Sequence, residues 1–182
     1  MFSIDNLIKK DDMIILGIDP GFSVTGYSIL QKSSHAIPGL RGKQQITLLD
    51  HGFLKMSATQ PLDVKIGIFY DLFNEKIKLH GITVISLETP FLGKNAQTFL
   101  KLGYLRGILY LLAHQHKLSI CEFAPRQVKQ NVTGYGAASK EQVAHVLSML
   151  FPQIPKPLKE DVTDAIAISL CGLWQSENRV NF

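Results

Sequence analysis

The chain has 182 residues, 46% of them hydrophobic and 19% charged, with a net charge of +4. This fits one domain of ordinary size with a real core, and it excludes a disordered chain. An isoelectric point of about 9.0 leans toward an anionic partner without requiring one.

The N-terminal stretch MFSIDNLIKKDD has no apolar core of the kind a secretory signal needs, and residues 1–12 read as a short polar arm. Residues 13–19 read as a strand that stops at the turn Asp19-Pro20-Gly21. Residues 24–31 form the returning strand, residues 32–44 a polar loop, and residues 45–56 a third strand. Val64, Ile68, Leu72, Phe73 and Ile77 recur at helical spacing up to Gly81. Residues 82–88 are apolar enough for a strand buried on both faces. A second helix over 95–116 is broken by Lys101 and Arg106, so it does not read as a membrane span. A fifth strand covers 118–124. Ser139 and Gln142 form a capping-box pattern at the start of a third helix. Pro152, Pro155 and Pro157 mark a linker, and a last helix covers 161–176, apolar nearly all round. The expected fold is α/β: a five-stranded mixed sheet with helices on both faces. One domain spans 13–177, followed by a tail over 178–182. Cys121 and Cys171 lack any ligand spacing and read as buried reduced thiols of a cytoplasmic protein.

Four carboxylates sit where these apolar segments begin or end: Asp19, Glu88, Asp161 and Asp164. An acid in apolar surroundings is costly without a positive compensator. Oxygen ligands from separate elements are what a hard divalent cation needs. Two such ions can activate water and stabilise the leaving oxygen in phosphodiester cleavage. Each acid also has a plainer role. An Asp before Pro-Gly suits a turn, and acids in a first helical turn suit the helix dipole. Glu160 competes with Asp161, because 160 and 164 also share a face.

At these residues the chain resembles the RuvC family of Holliday-junction resolvases, the crossover junction endodeoxyribonucleases. The matching stretches are IILGIDPGFSVTGYSIL, ISLETPFLGKNAQTFLKLGYLRG, FAPRQVKQNVTGYGAASKEQV and DVTDAIAIS. The resemblance implies an RNase H-like fold, a homodimer, Mg²⁺ or Mn²⁺ (two ions per subunit), and paired nicks across a four-way DNA junction in recombination and repair. It implies that Asp19, Glu88, Asp161 and Asp164 are the catalytic and metal-binding acids, and so prefers Asp161 to Glu160. It matches Phe91 to an aromatic used against junction bases, and Lys129 and Lys140 to basic residues near the scissile strand. A branch-migration complex is an implied partner. The chain departs from the family pattern in its N-terminal arm, in the loop at 32–44, and in Thr89-Pro90 beside the site.

Lys94, Arg126, Lys129 and Lys140 lie near segment ends and suit phosphate contacts, with solvated surface charges as the plain alternative. Tyr135, in the loop Gly134-Tyr135-Gly136, suits stacking on DNA, as does Phe91. Gly103 and Gly107 lie four apart in a helix, where each costs about 1 kcal/mol against Ala. Close approach of another helix explains them: one from the same subunit, or its twin across a two-fold axis. Three other functions compete: a sugar-kinase or actin-like ATPase, which needs two such lobes; an RNA-cutting relative of the YqgF-like group; and a junction-binding protein without cleavage.

Overall fold

The computed structural model describes residues 12–36, 44–90, 96–154 and 158–180. In chain order the elements are strands β1 (Met13–Asp19), β2 (Val24–Ala36) and β3 (Gln44–Lys55), helix α1 (Leu62–His80), strand β4 (Val84–Glu88), helix α2 (Ala96–His116), strand β5 (Ser119–Phe123), and helices α3 (Pro125–Thr133), α4 (Lys140–Leu150) and α5 (Glu160–Val180). The strands form one sheet in the order β3-β2-β1-β4-β5. β1, β2 and β3 pair antiparallel, whereas β4 runs parallel to both β1 and β5.

Alternation along the strands divides the core in two. Ile14, Leu16 and Ile18 of β1, with Ile85 and Leu87 of β4, pack under α1 and α2 against Phe69, Phe73, Leu105 and Leu109. Ile15 and Val84 belong to the opposite face, where Ile166, Leu170 and Leu173 of α5 cover the sheet beside α3 and α4. The expected mixed sheet with helices on both faces is what forms. Both cysteines are free and buried.

Three features differ from the sequence expectations. Residues 32–36, expected in a loop, continue β2, with pairing irregularities at Ile29/Leu30 and Lys32/Ala36. Their Ser- and Lys-rich composition hides a strand whose partner, β3, is itself at the sheet edge. α5 runs to Val180, past the expected end at 176. Helix α3 lies outside the expected elements, because its nine residues bury only Val128 and Val132. Its signals were present nonetheless: Pro125 in the first helical turn, and Gly134 at φ 79° ending it. Residues 1–11 of the expected arm lie outside the described residues. Asp12 is buried and accepts a 2.8 Å hydrogen bond from Gln31 Nε2, so it belongs to the folded part.

Candidate active site

Register brings the first two acids together. Ile18 of β1 pairs with Leu87 of β4, so Asp19 and Glu88 are the next residues of adjacent parallel strands, about 5 Å apart. Side chains alternate along a strand. Ile15, Gly17 and Asp19 therefore share the sheet face of Val84, Ser86 and Glu88, which is the face under α5. Across the antiparallel pair, Asp19 lies opposite Gly26.

Helix α5 brings the other two acids because the sheet lets it sit unusually close. A Cβ on Gly17 would meet the Ala165 carbonyl oxygen at 2.5 Å, and one on Gly26 would meet the Asp161 carbonyl oxygen at 1.9 Å. Hydroxyls fasten the contact. Ser28 Oγ donates to the Ala165 carbonyl at 2.9 Å, and Ser86 Oγ to the Ile168 carbonyl at 2.7 Å. The first turn of α5, with Asp161 and Asp164, is thereby seated over the ends of β1 and β2. The other faces of α5 are buried from Val162 to Leu173, so the helix has little freedom to tilt.

The acids feel one another. The Asp19 carboxyl is pushed up to about 6 by burial and by the charges of Asp164 and Asp161, against a smaller opposing pull from Lys140. Glu88 is pushed up to about 7 by burial and by Asp19 and Asp164, with Lys140 and Lys129 opposing. Asp164 is raised as well, mainly by burial, although Lys140 pulls it down. This is the signature of buried carboxylates brought close together with too little positive charge.

Lys140 opens α4 and stands beside Asp164, and Lys129 lies on α3, where its charge acts weakly on Glu88 and Asp164. Lys140 Nζ pairs with Glu160 and stands 3.5 Å from Asp164 Oδ2. Glu160 is thus turned outward on Lys140, its side chain 62% exposed, whereas Asp161 couples to both Asp19 and Asp164. Arg126 is exposed on α3, its stem against Gly136, and Tyr135 is exposed in the following loop; neither acts on the acids. Phe91 and Lys94 lie outside the described residues.

Among the described residues, no three acid, His or Cys side chains close around a point as a finished metal cage. The donor set nevertheless fits a hard cation. All four groups are carboxylate oxygens, carried by three rigid elements, and the raised values of Asp19 and Glu88 show an unmet demand for positive charge.

Sequence reasoning missed one residue that shapes this edge. Arg106, treated there only as a charge interrupting an apolar helix, is buried in α2. Its Nη1 donates to the Glu88 carbonyl at 2.7 Å, and its Nη2 pairs with Glu122 of β5. Tyr110 Oη donates to Glu122 at 2.6 Å. Arg106 therefore ties α2 and β5 to the backbone that carries Glu88. The signal was a lone arginine four residues before a tyrosine in an otherwise apolar helix.

A family model described as "Crossover junction endodeoxyribonuclease RuvC" matches residues 15–172. The chain belongs to the RuvC family. A RuvC of Chloroherpeton thalassium is 39% identical over 164 residues, covering 90% of this chain and 83% of the relative. A solved Thermus thermophilus RuvC structure superposes with a TM-score of 0.79 at 24% identity, over 91% of this chain and 96% of that one. The T. thermophilus RuvC solved in complex with Holliday junction substrate gives 0.76 at 21% identity, with the same coverage. These likenesses show the RNase H-like fold. The RuvC match takes in all four acids together with Lys129, Lys140 and Arg106.

Proposed function

We propose that this chain is a crossover junction endodeoxyribonuclease that resolves four-way DNA junctions in homologous recombination and DNA repair, by paired metal-dependent phosphodiester hydrolysis. The observation that carries the reading is the convergence of Asp19, Glu88, Asp161 and Asp164 at one sheet edge in a RuvC-family chain. The T. thermophilus relative solved with a Holliday junction supports the substrate. Family membership also favours this function over an actin-like ATPase or an RNA-cutting nuclease.

Asp19, Glu88, Asp161 and Asp164 would hold Mg²⁺, with Mn²⁺ as a substitute and two ions per subunit. Bound there, the ions would supply an activated water and charge stabilisation at the phosphate. The protein's own part is positioning. β1 and β4 present two acids side by side, and α5 presents two more from a fixed height over the sheet. Lys140 and Lys129 hold positive charge at the rim, where a scissile phosphate would lie. Arg126, Tyr135, Phe91 and Lys94 complete the proposed DNA surface, the last two by family resemblance.

The partner arrangement is a homodimer built on α2. Leu100, Tyr104 and Leu111 are exposed at 57%, 37% and 45%. With Gly103 and Gly107 they form a stripe at helical spacing. Among the described residues nothing lies within 4 Å of a Cβ added at either glycine. No described helix of the same subunit occupies them, which supports the twin across a two-fold axis. Such a dimer suits a substrate with two-fold symmetry that is cut twice. Contact with a branch-migration complex and a cytoplasmic location belong to the same reading. Among the described residues no helix is long and apolar enough to cross a membrane.

Asp19→Asn tests the site. The variant is expected to bind a synthetic four-way junction and to cut none of it. Full cutting by that variant removes Asp19 from the chemistry.

A further inference from the structure

At the same sheet edge as the acids, but toward α1 and α2, lies a groove of about 610 Å³. Its lining includes Phe22, Ser23, Gln60, Lys65, Gln97 and Lys101. Phe22 follows Asp19 by three residues, so the groove begins within about 11 Å of chain from the first acid. Phe22 packs into the core under α1 and α2, whereas Asp19 faces α5. The groove and the acids therefore flank opposite sides of one edge.

Lys65 is only 3% exposed. Its Nζ sits 4.4 Å from the centre of the Phe22 ring, and Lys101 Nζ sits 5.3 Å from the same ring. Among the described residues no carboxylate lines the groove. A buried ammonium without a counter-charge is costly, and an aromatic face offsets that only in part. Two ammonium groups drawn to one ring also repel each other. Gln60 and Ser23 also line the groove, and their polar groups suit phosphate oxygens. A phosphate reached by both ammonium groups offsets both costs.

We propose that this groove is a phosphate-binding site, separate from the catalytic acids, that holds the sugar–phosphate backbone of a DNA arm as it passes over the sheet edge. The inference rests on the junction-resolvase reading and deepens it. Lys65 is pre-set by burial under Phe22, so little side-chain freedom is lost when the phosphate arrives. Lys101, exposed on α2, adds the second charge. Leu100 and Tyr104 of the exposed stripe form one wall of the same groove, so a two-fold dimer would bring two such sites close to its axis.

The test is binding of a synthetic four-way junction in EDTA, where nothing is cut, over a series of salt concentrations. Lys65→Met keeps the packing of the stem and removes the charge; Lys101→Gln removes the outer charge. Each is expected to weaken binding about tenfold or more at low salt, the size of one charge-assisted contact. Each is also expected to lower the slope of log affinity against log salt by about 0.9. Sedimentation of each variant is run alongside. Wild-type affinity and slope in Lys101→Gln overturn the proposal, whether or not Lys65→Met folds. Loss of the dimer with an unchanged slope overturns it too, and assigns the groove to a partner subunit. If wild-type protein binds no junction, the functional reading itself fails; if it binds and cuts while both lysine variants keep the slope, this inference alone fails.

Discussion

Arg106 in α2 donates from Nη1 to the carbonyl oxygen of Glu88 at 2.7 Å. It links the helix with the exposed apolar stripe to the strand end that carries a proposed metal ligand. A guanidinium does this better than an ammonium, because one planar group reaches Glu88 and Glu122 together. Arg106→Lys keeps the charge and loses the fork. Its single-turnover nicking rate is expected to fall roughly tenfold, with junction affinity unchanged, because a displacement near 1 Å at a reacting centre carries penalties of that order or larger. A wild-type rate in a folded Arg106→Lys protein would show that Glu88 needs no such tie.

Crowded acids make the metal-free protein sensitive to pH. Asp19 and Glu88 ionise at about 6 and about 7 in the folded chain, above their ordinary values of 3.8 and 4.5. Between those limits the folded state binds more protons than the unfolded one, so their contribution to stability falls as pH rises. Asp19→Asn removes one of the repelling charges. Without metal, the variant is expected to be more stable than wild type by about 2 kcal/mol near pH 8, and to lose that advantage near pH 4. Urea melts at the two pH values read this directly. Added Mg²⁺ is expected to stabilise wild type and leave the variant nearly unchanged.

The close seating of α5 gives a third prediction. A methyl at Gly26 would collide with the Asp161 backbone at 1.9 Å, and backbone cannot turn away as a side chain can. Gly26→Ala is expected to cost about 1–3 kcal/mol of stability by overpacking, and to lower nicking far more than the lost stability explains. Thermal melting and nicking of the same preparation separate the two effects. Equal activity at equal folding would mean that the height of α5 does not matter.

Glu160 and Asp161 are neighbours with opposite surroundings. Glu160 is exposed on Lys140, whereas Asp161 faces Asp19 and Asp164. Asp161→Asn is expected to abolish nicking. Glu160→Gln frees Lys140 from its exposed partner and is expected to change the rate by less than about threefold, since exposed ion pairs contribute little. The reverse ranking would move the ligand set by one residue.

Much of this was readable in the chain because the decisive residues close long apolar runs. Asp19 and Glu88 end strands whose register then follows from the parallel pairing of Ile18 with Leu87. The long apolar face of α5 likewise announced a buried helix. Other features carried too thin a pattern. α3 buries only Val128 and Val132, and the continuation of β2 through Lys32 and Ser33 is polar. Arg106 reads only as a charge interrupting an apolar helix, and Lys65 carries no signal of its own, since their meaning depends on contacts with Glu88 and Phe22 across the sheet edge. The glycines at 17 and 26 gave no sign, on sequence alone, that a helix would rest on them.

The most direct measurement incubates the purified protein and Mg²⁺ with a synthetic four-way junction, and in parallel with linear duplex of the same sequence, and maps the cuts on each strand. Two symmetric nicks in the junction, a duplex left largely intact, and no cutting when Mg²⁺ is withheld are the expected outcome. Equal cutting of the linear duplex, or undiminished cutting without a divalent ion, would contradict it.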